Sequence, residues 1–351
     1  MSTAQAAHVL VLELTAPEGP YAVATALETA GLPVRVCRPW AGDDVPDTLA
    51  DVVALVAMGG PMAAYDDFPG RTAELALLRA ALEAEVPLLG VRLGAQLLAS
   101  AAGGTVHVGD DAPIGWGEVR TSRAAHTDPL FADTPERLRV LHRHTDTMEL
   151  PPGAILLATS DGGPVQAFRI GGSAWGPRFH LEADKSAVDA LAAEFPDDAA
   201  TAPGLVESAP TEPAEQAPHR DRVFARFAAL VVERSARTAT RTFFTPRATA
   251  WEERIAADNP MYAAAVARMG LRPGQCALDV GCGSGRALPA LHTSVGDQGV
   301  VLGADLTQAM LTATVREGRA RLARLLLADA CRLPLPAGAV HPAVACPALT
   351  P

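Results

Sequence analysis

Three groups of residues have the types and spacing for chemistry. The first is Gly90-Val91-Arg92-Leu93-Gly94, which follows the apolar run Val86–Leu89 and leads into Ala95-Gln96-Leu97-Leu98. Strand, sharp turn and helix in that order lift one side chain out of the strand end toward a ligand crevice. Here that side chain is Arg92. A guanidinium stays protonated at physiological pH and has no lone pair for attack, so this turn is shaped like a nucleophile elbow but lacks the nucleophile. The second group is His180-Leu181-Glu182. Residues i and i+2 of a strand face the same way, so Glu182 can orient the His180 imidazole as the base-and-orienter half of a nucleophilic triad. A surface cross-strand pair fits the same spacing. The third is Asp279-Val280-Gly281-Cys282-Gly283-Ser284-Gly285, with Asp305 twenty residues beyond Gly285 and Asp329 after it. Glycines let a backbone approach a ligand closely, and an acid ending the next strand suits ribose hydroxyls. For Asp305 and Asp329, capping of strand ends is the plain alternative.

The elements that must carry these groups alternate. Strands are expected at 8–14, 34–37, 51–58 and 86–89, with helices at 19–30, 72–84 and 96–102, the pattern of a parallel sheet with helices on both faces. From 105 to 180, short β-like runs at 117–119, 138–141, 155–158 and 165–168 are separated by Gly, Pro and Asp turns, before a strand at 174–181 and a helix at 186–195. Residues 196–220 are rich in Pro, Ala, Glu and Ser and read as a mobile insertion or linker, whereas Arg222–Val232 reads as an amphipathic helix packed on the first domain. A second α/β unit has strands at 275–280, 299–304 and 325–328 and helices at 287–293 and 308–322. The expected domains are residues 1–236 and 237–351.

In this order of elements, residues 8–195 resemble the class I glutamine amidotransferases. The likeness is carried by Gly59-Gly60-Pro61-Met62 with Tyr65-Asp66-Asp67, the Gly90–Gln96 elbow, Ile114-Gly115-Trp116, His144-Thr145-Asp146 and Phe179-His180-Leu181-Glu182. The family's elbow reads Gly-x-Cys-x-Gly-x-Gln. The resemblance implies a glutaminase-type three-layer α/β domain in which an elbow Cys attacks the side-chain amide of glutamine. His180, with Glu182, would shuttle protons, and the N–H groups of Gly60 and Leu93 would hold the oxyanion. Gln96 would help hold glutamine, with His144 and Asp146 near the pocket. This chain departs at Arg92, which stands in the Cys position, and at Leu181, where Pro is usual. Without its nucleophile a triad keeps only residual catalysis, so a pseudoenzyme is expected. Two roles for Arg92 stay open. It can anchor the carboxylate of a glutamine-like ligand or a phosphate, within an unusual hydrolase or transferase that uses His180 and Glu182. Alternatively it pairs with Glu182 or a nearby acid in a dead pocket.

Residues 250–340 resemble the class I S-adenosylmethionine-dependent methyltransferases, through the 279–285 turn, Asp305, and Leu327-Ala328-Asp329-Ala330 followed by Leu333-Pro334-Leu335-Pro336. The resemblance implies a partial Rossmann-like domain with S-adenosylmethionine as cofactor. Asp279, Gly281, Gly283 and Gly285 would border its methionine part, Asp305 its ribose and Asp329 its adenine. The family fold has seven strands, and only the first three are recognisable here. Pro342, Pro347 and Pro351 oppose a fourth strand. The domain is therefore expected to be truncated after its third strand, by an altered reading of the coding sequence. That leaves its first strand as an uncovered apolar edge open to self-association; through that edge, or through the 196–220 segment docking a partner, the chain would be an interaction module.

Composition bounds the rest. A chain of 351 residues, 49% hydrophobic and 20% charged, suits two globular domains. A net charge of −11 argues against a general phosphate-backbone binder, so no nucleic acid partner is expected. Cys37, Cys276, Cys282, Cys331 and Cys346 form neither a C-x-x-C pair nor a zinc spacing. Reduced thiols in a cytoplasm, no metal, no export signal and no membrane span are expected.

Overall fold

The computed structural model describes residues 6–109, 114–143, 146–202, 205–209, 211–254, 259–336, 338–340 and 343–345. The chain divides into two compact units, Met1–Arg234 and Ser235–Pro351.

The first unit opens with β1 (His8–Leu12), α1 (Tyr21–Thr29), β2 (Val34–Cys37), β3 (Val52–Ala57), α2 (Arg71–Glu83), β4 (Leu88–Gly90) and α3 (Leu93–Ala101). It continues through β5 (Val106–Val108), β6 (Ile114–Thr121), β7 (Arg137–Arg143), β8 (Asp146–Met148), β9 (Ile155–Ser160), β10 (Gly163–Ile170) and β11 (Ala174–Pro177) to α4 (Lys185–Glu194). Nine strands form one sheet in the order β2-β1-β3-β4-β11-β10-β9-β6-β7, while β5 and β8 pair apart. The βαβ half, with β11, is parallel, and the short runs after residue 105 continue it as an antiparallel flank.

Every residue of β1 is buried because the sheet is covered on both faces. Alternate side chains of a strand point oppositely. Val9 and Val11 accordingly pack with Val23 and Leu27 of α1, whereas Leu10 and Leu12 pack with Leu75 and Leu78 of α2 and Leu97 and Leu98 of α3. These are the three layers expected of a glutaminase-type α/β domain. The β3–β4 register sets Ala57 opposite Gly90. The residues after β3 therefore lie beside the turn after β4.

Two expectations change here. Residues 196–220 are not an open linker: α5 (Pro196–Thr201) and the start of α6 (Glu212–Phe244) occupy much of them. Leu205 and Ala209 are buried with Leu141, Ala187 and Val188. The prolines suggested a break, but Pro213 lies in the first turn of α6, where no helical hydrogen bond is lost, and at Pro218 the helix runs on without that residue's N–H bond. The amphipathic stretch inside α6 does pack on the first unit, burying Val223, Phe224, Phe227, Ala228 and Val231 at helical spacing. The strand expected to run to Leu181 ends at Pro177, and beyond it only a single bridge joins His180 to Leu141.

In the second unit α7 (Trp251–Arg254) and α8 (Asn259–Arg268) precede β12 (Cys276–Val280), α9 (Leu288–Val295), β13 (Val300–Asp305), α10 (Gln308–Arg316), β14 (Arg324–Leu327) and β15 (Ala343–Ala345). The sheet order is β14-β13-β12-β15, all parallel. The uncovered first strand and the stop after the third are thus corrected. β15 pairs with β12, with Leu278 opposite Ala343 and Val280 opposite Ala345. Proline blocks a strand only where its missing N–H is needed. Pro342 and Pro347 flank the paired residues rather than interrupt them. Residues 346–351, with Cys346, lie outside the described residues. No helix among the described residues is long and apolar enough to cross a membrane.

Candidate functional site

The elbow forms as its glycines require. Arg92 has φ 52° and ψ −108°, a conformation that costs a non-glycine residue on the order of 1–3 kcal/mol and persists only where surroundings impose it. They do so here. Val91 N–H donates to the Ala57 carbonyl at 2.8 Å, Arg92 N–H to Pro177 at 2.9 Å and Gly94 N–H to Met58 at 3.1 Å. A Cβ on Gly94 would lie 2.0 Å from the Ala57 carbonyl oxygen, and one on Gly90 2.5 Å from that of Gly94. Leu93 is the first residue of α3, where an N–H has no acceptor within the helix. Gly60 lies against it, its Cβ position 3.1 Å from Leu93 Cδ2. Gln96 is buried one turn on.

Arg92 is 8% exposed. Its Nε donates to the Arg143 carbonyl, and its Nη1 is 3.8 Å from Glu18 Oε1. Arg143 Nη1 reaches the same oxygen at 3.0 Å. His180 Nδ1 meets Glu182 Oε1 at 2.7 Å, and its Nε2 is 4.0 Å from Glu18 Oε2. Neither His180 Nε2 nor Glu18 Oε2 has a hydrogen-bond partner. The pairing expected of His180 and Glu182 is therefore present, buried rather than on a surface. Of the two roles left open for Arg92, the structure has the pairing with a nearby acid. That acid is Glu18, from the loop between β1 and α1, and not Glu182.

Around this group the polar side chains are tuned by burial. His142 is pushed down to about 4 by burial, then by Arg178 and His180, and is neutral at pH 7. Arg178 is drawn down to about 10, chiefly by burial, with Asp146 opposing and Arg92 adding to the shift. Asp146 accepts a hydrogen bond from the Tyr65 hydroxyl at 3.2 Å, and its carbonyl accepts one from Arg178. His144 lies outside the described residues. His180 thus faces two carboxylates, Glu182 and Glu18, and Glu18 in turn takes Arg143 and Arg92, the side chain the elbow presents.

The second unit has a cavity of about 710 Å³ at the carboxyl ends of β12, β13 and β14, lined by Asp279, Gly281, Gly283, Asp305 and Asp329 among others. Ligands of open α/β sheets bind at such strand ends. Asp279 is pushed up to about 7 by burial and then by Asp305, and its Oδ1 has no hydrogen-bond partner. Burial also raises Asp305, against hydrogen bonds from the N–H groups of Thr307 at 2.7 Å and Gly283 at 2.9 Å. Asp329 accepts from Cys331 N–H at 2.8 Å and is held low by it and by Arg237 of α6, with which it is ion-paired. Burial, Asp279 and Asp305 push the Cys282 thiol up, away from the reactive thiolate. Gly285 is corrected: it does not line the cavity. Its Cβ position is 2.7 Å from Thr314 Cγ2 and 2.8 Å from Leu288 Cδ1, so it allows α9 and α10 to pack against the turn.

Sequence reasoning missed Glu18, Arg143 and Arg237. None stands in a local motif, and Glu18 lies 125 residues from Arg143.

Known proteins divide the chain in the same way. The family model described as glutamine amidotransferase class-I matches residues 20–194, and one described as methyltransferase domain matches residues 277–350. The chain is 30% identical over 169 residues to the glutamine amidotransferase-like protein YfeJ of Salmonella typhimurium, a match covering 47% of this chain and 71% of that protein. It is 33% identical over 148 residues to the glutamine-hydrolyzing GMP synthase of Porphyromonas gingivalis, covering 42% of this chain but 28% of the synthase. A solved glutamine amidotransferase of Methylobacillus flagellatus is similar with a TM-score of 0.60 at 28% identity, over 64% of this chain and 95% of that one. Another, from Thermotoga maritima, gives 0.58 at 26% identity, over 64% and 99%. The chain belongs to the class I glutamine amidotransferase family, and a methyltransferase domain follows the amidotransferase domain in it.

Proposed function

We propose that the first unit is a glutaminase fold that does not hydrolyse glutamine, and that the second binds S-adenosylmethionine as a methyltransferase domain. The first half rests on one observation: the elbow presents Arg92, and Arg92 is drawn with Arg143 onto Glu18 beside His180. Acyl transfer from an amide through this site needs a nucleophile at the elbow, and a guanidinium cannot be one. Glu18 also supplies internally the carboxylate that an anchoring Arg92 would take from a ligand, which disfavours the hydrolase alternative.

The donor set of the second cavity suits the cofactor. Asp279 Oδ1 is buried and unpartnered, and a Cβ on Gly281 would meet nothing within 4 Å. Asp279 and the Gly281–Gly283 backbone would hold the methionine part, Asp305 the ribose and Asp329 the adenine. When bound, the cofactor supplies an electrophilic methyl group. The chain's acids hold and orient a cationic ligand.

Ammonia release from glutamine tests the first half, and none is expected above background. Turnover that disappears in His180→Ala would overturn it. Calorimetry with S-adenosylmethionine at two pH values tests the second. Asp279, raised to about 7, is protonated below that pH and ionised above it, so a cationic ligand binds more tightly as pH rises. Affinity is expected to gain roughly tenfold between pH 6 and pH 8, and Asp279→Asn to flatten the change. No measurable binding at either pH would sink this half.

A further inference from the structure

The glycine turn builds one side of the cofactor cavity. Another wall comes from chain that precedes β12: Phe244 and Trp251 line it, edge to face with ring centroids 5.2 Å apart. One carboxylate ties this wall to the turn. Glu252 Oε1 accepts hydrogen bonds from Arg319 Nη1 at 2.7 Å, from Arg286 Nε at 3.2 Å and from the Ser284 hydroxyl. Glu252 Oε2 accepts from Arg319 Nη2 at 3.0 Å and Arg286 Nη2 at 3.2 Å. The backbone joins in: Arg286 Nη2 donates to the Glu252 carbonyl at 2.6 Å, and Arg319 Nη1 to the Ser284 carbonyl at 2.9 Å. The Arg286 side chain is 3% exposed.

This is more than a surface ion pair. Both carboxylate oxygens are shared between two guanidiniums, and charge-assisted bonds of that forked kind fix orientation as well as adding energy. Burial by itself would raise Glu252, yet Arg319, Ser284 and Arg286 hold it down at about 2. It is charged across the working pH range. Ser284 and Arg286 flank Gly285 in the turn, and Trp251 is the neighbour of Glu252 in α7. Arg319 follows α10, which carries Met310 into the same cavity. Glu252 itself does not line the cavity.

We propose that Glu252 is a positioning residue: by bridging Ser284, Arg286 and Arg319 it fixes the glycine turn and sets Trp251 as a wall, so that ligand affinity depends on a carboxylate the ligand does not touch. This rests on the reading of the cavity as the S-adenosylmethionine site. The closing of a ligand around a preformed wall and turn costs less ordering than closing around loose ones.

The test uses the full chain and two readouts. Subtracting the emission of a matching Trp251→Phe protein isolates Trp251 from Trp40, Trp116 and Trp175, and acrylamide quenching then reports how firmly the indole is held. Titration with S-adenosylmethionine gives affinity. In Glu252→Gln, Trp251 is expected to become more quenchable and affinity to fall roughly tenfold, with far-UV circular dichroism unchanged. Glu252→Asp, which keeps the charge, is expected to recover part of both. If Glu252→Gln changes neither quenching nor affinity while the wild type binds, the positioning role is overturned and the cofactor reading stands. If the wild type binds no cofactor but Glu252→Gln loosens Trp251, the cofactor reading fails and the positioning role stands. Should Glu252→Gln not fold, Ser284→Ala removes only the hydroxyl bond. A smaller change in the same direction is expected from it, and unchanged quenching overturns the proposal.

Discussion

At Arg92 the expected effect of restoring the family's cysteine depends on Glu18. Arg92→Cys alone leaves Glu18 paired with Arg143 at 3.0 Å and 4.0 Å from His180 Nε2. A thiolate forming there faces a buried carboxylate, and like charge raises a thiol's pKa. The single change also removes one of the two guanidiniums, Arg92 and Arg143, that meet Glu18. Changing Glu18→Ala at the same time removes one charge of each sign. Arg92→Cys is therefore expected to release no ammonia from glutamine, and the double variant to release it measurably. Turnover in the single variant would show that Glu18 is no obstacle. The residues legible in the sequence are those whose partners lie close along it, such as His180 with Glu182 and Asp279 with its glycines. Glu18, Arg143, Glu252 and Arg237 reach their partners from distant elements, so nothing adjacent to them marks the pairing. Gly285 was legible as necessary but not for the right reason, since a glycine demanded by a ligand and one demanded by packing look alike in a sequence.

The elbow as an element is set by close approach. The Gly94 Cβ position is 2.0 Å from a backbone oxygen of β3, an atom that cannot swing aside as a side chain can. Gly94→Ala must push α3 off the sheet. It is expected to cost on the order of 3 kcal/mol or to prevent folding, read as the urea midpoint of the purified protein. An unchanged midpoint would mean that β3 and α3 are not held this tightly. The alternation of strand and helix was readable from apolar periodicity because both faces of the sheet are covered and each element must serve them. β15 was not readable, because three small apolar residues between prolines carry almost no strand signal and only pairing with β12 defines them. Residues 205–209 escaped notice for a similar reason: Leu205 and Ala209 are too few to show a period, yet a hydrophobic cluster is there to receive them.

Across the whole molecule the two units differ in how their strand ends are used. In the first, the Glu18 carboxylate is drawn to Arg92 and Arg143 beside His180; in the second, Asp279 and Asp305 line a cavity of about 710 Å³. Hydrogen exchange on the full chain can read this difference. S-adenosylmethionine at a hundredfold excess over its dissociation constant is expected to slow opening of β12, β13 and the 281–285 turn by about a hundredfold. Glutamine is expected to leave the 90–96 amides unchanged. Protection by glutamine at the elbow would reverse the assignment of an occupied and an available site. Both units place chemistry at strand ends, which is why their motifs were visible before their surroundings were. The Cβ position of Gly59 is 1.7 Å from Glu18 Oε2, the far end of a side chain that can turn. Position 59 therefore governs where that carboxylate rests. A methyl group there would swing Glu18 away from Arg92 and Arg143 while the backbone of the turn stays in place, so the ion pairing at the elbow depends on a methyl group that is not there.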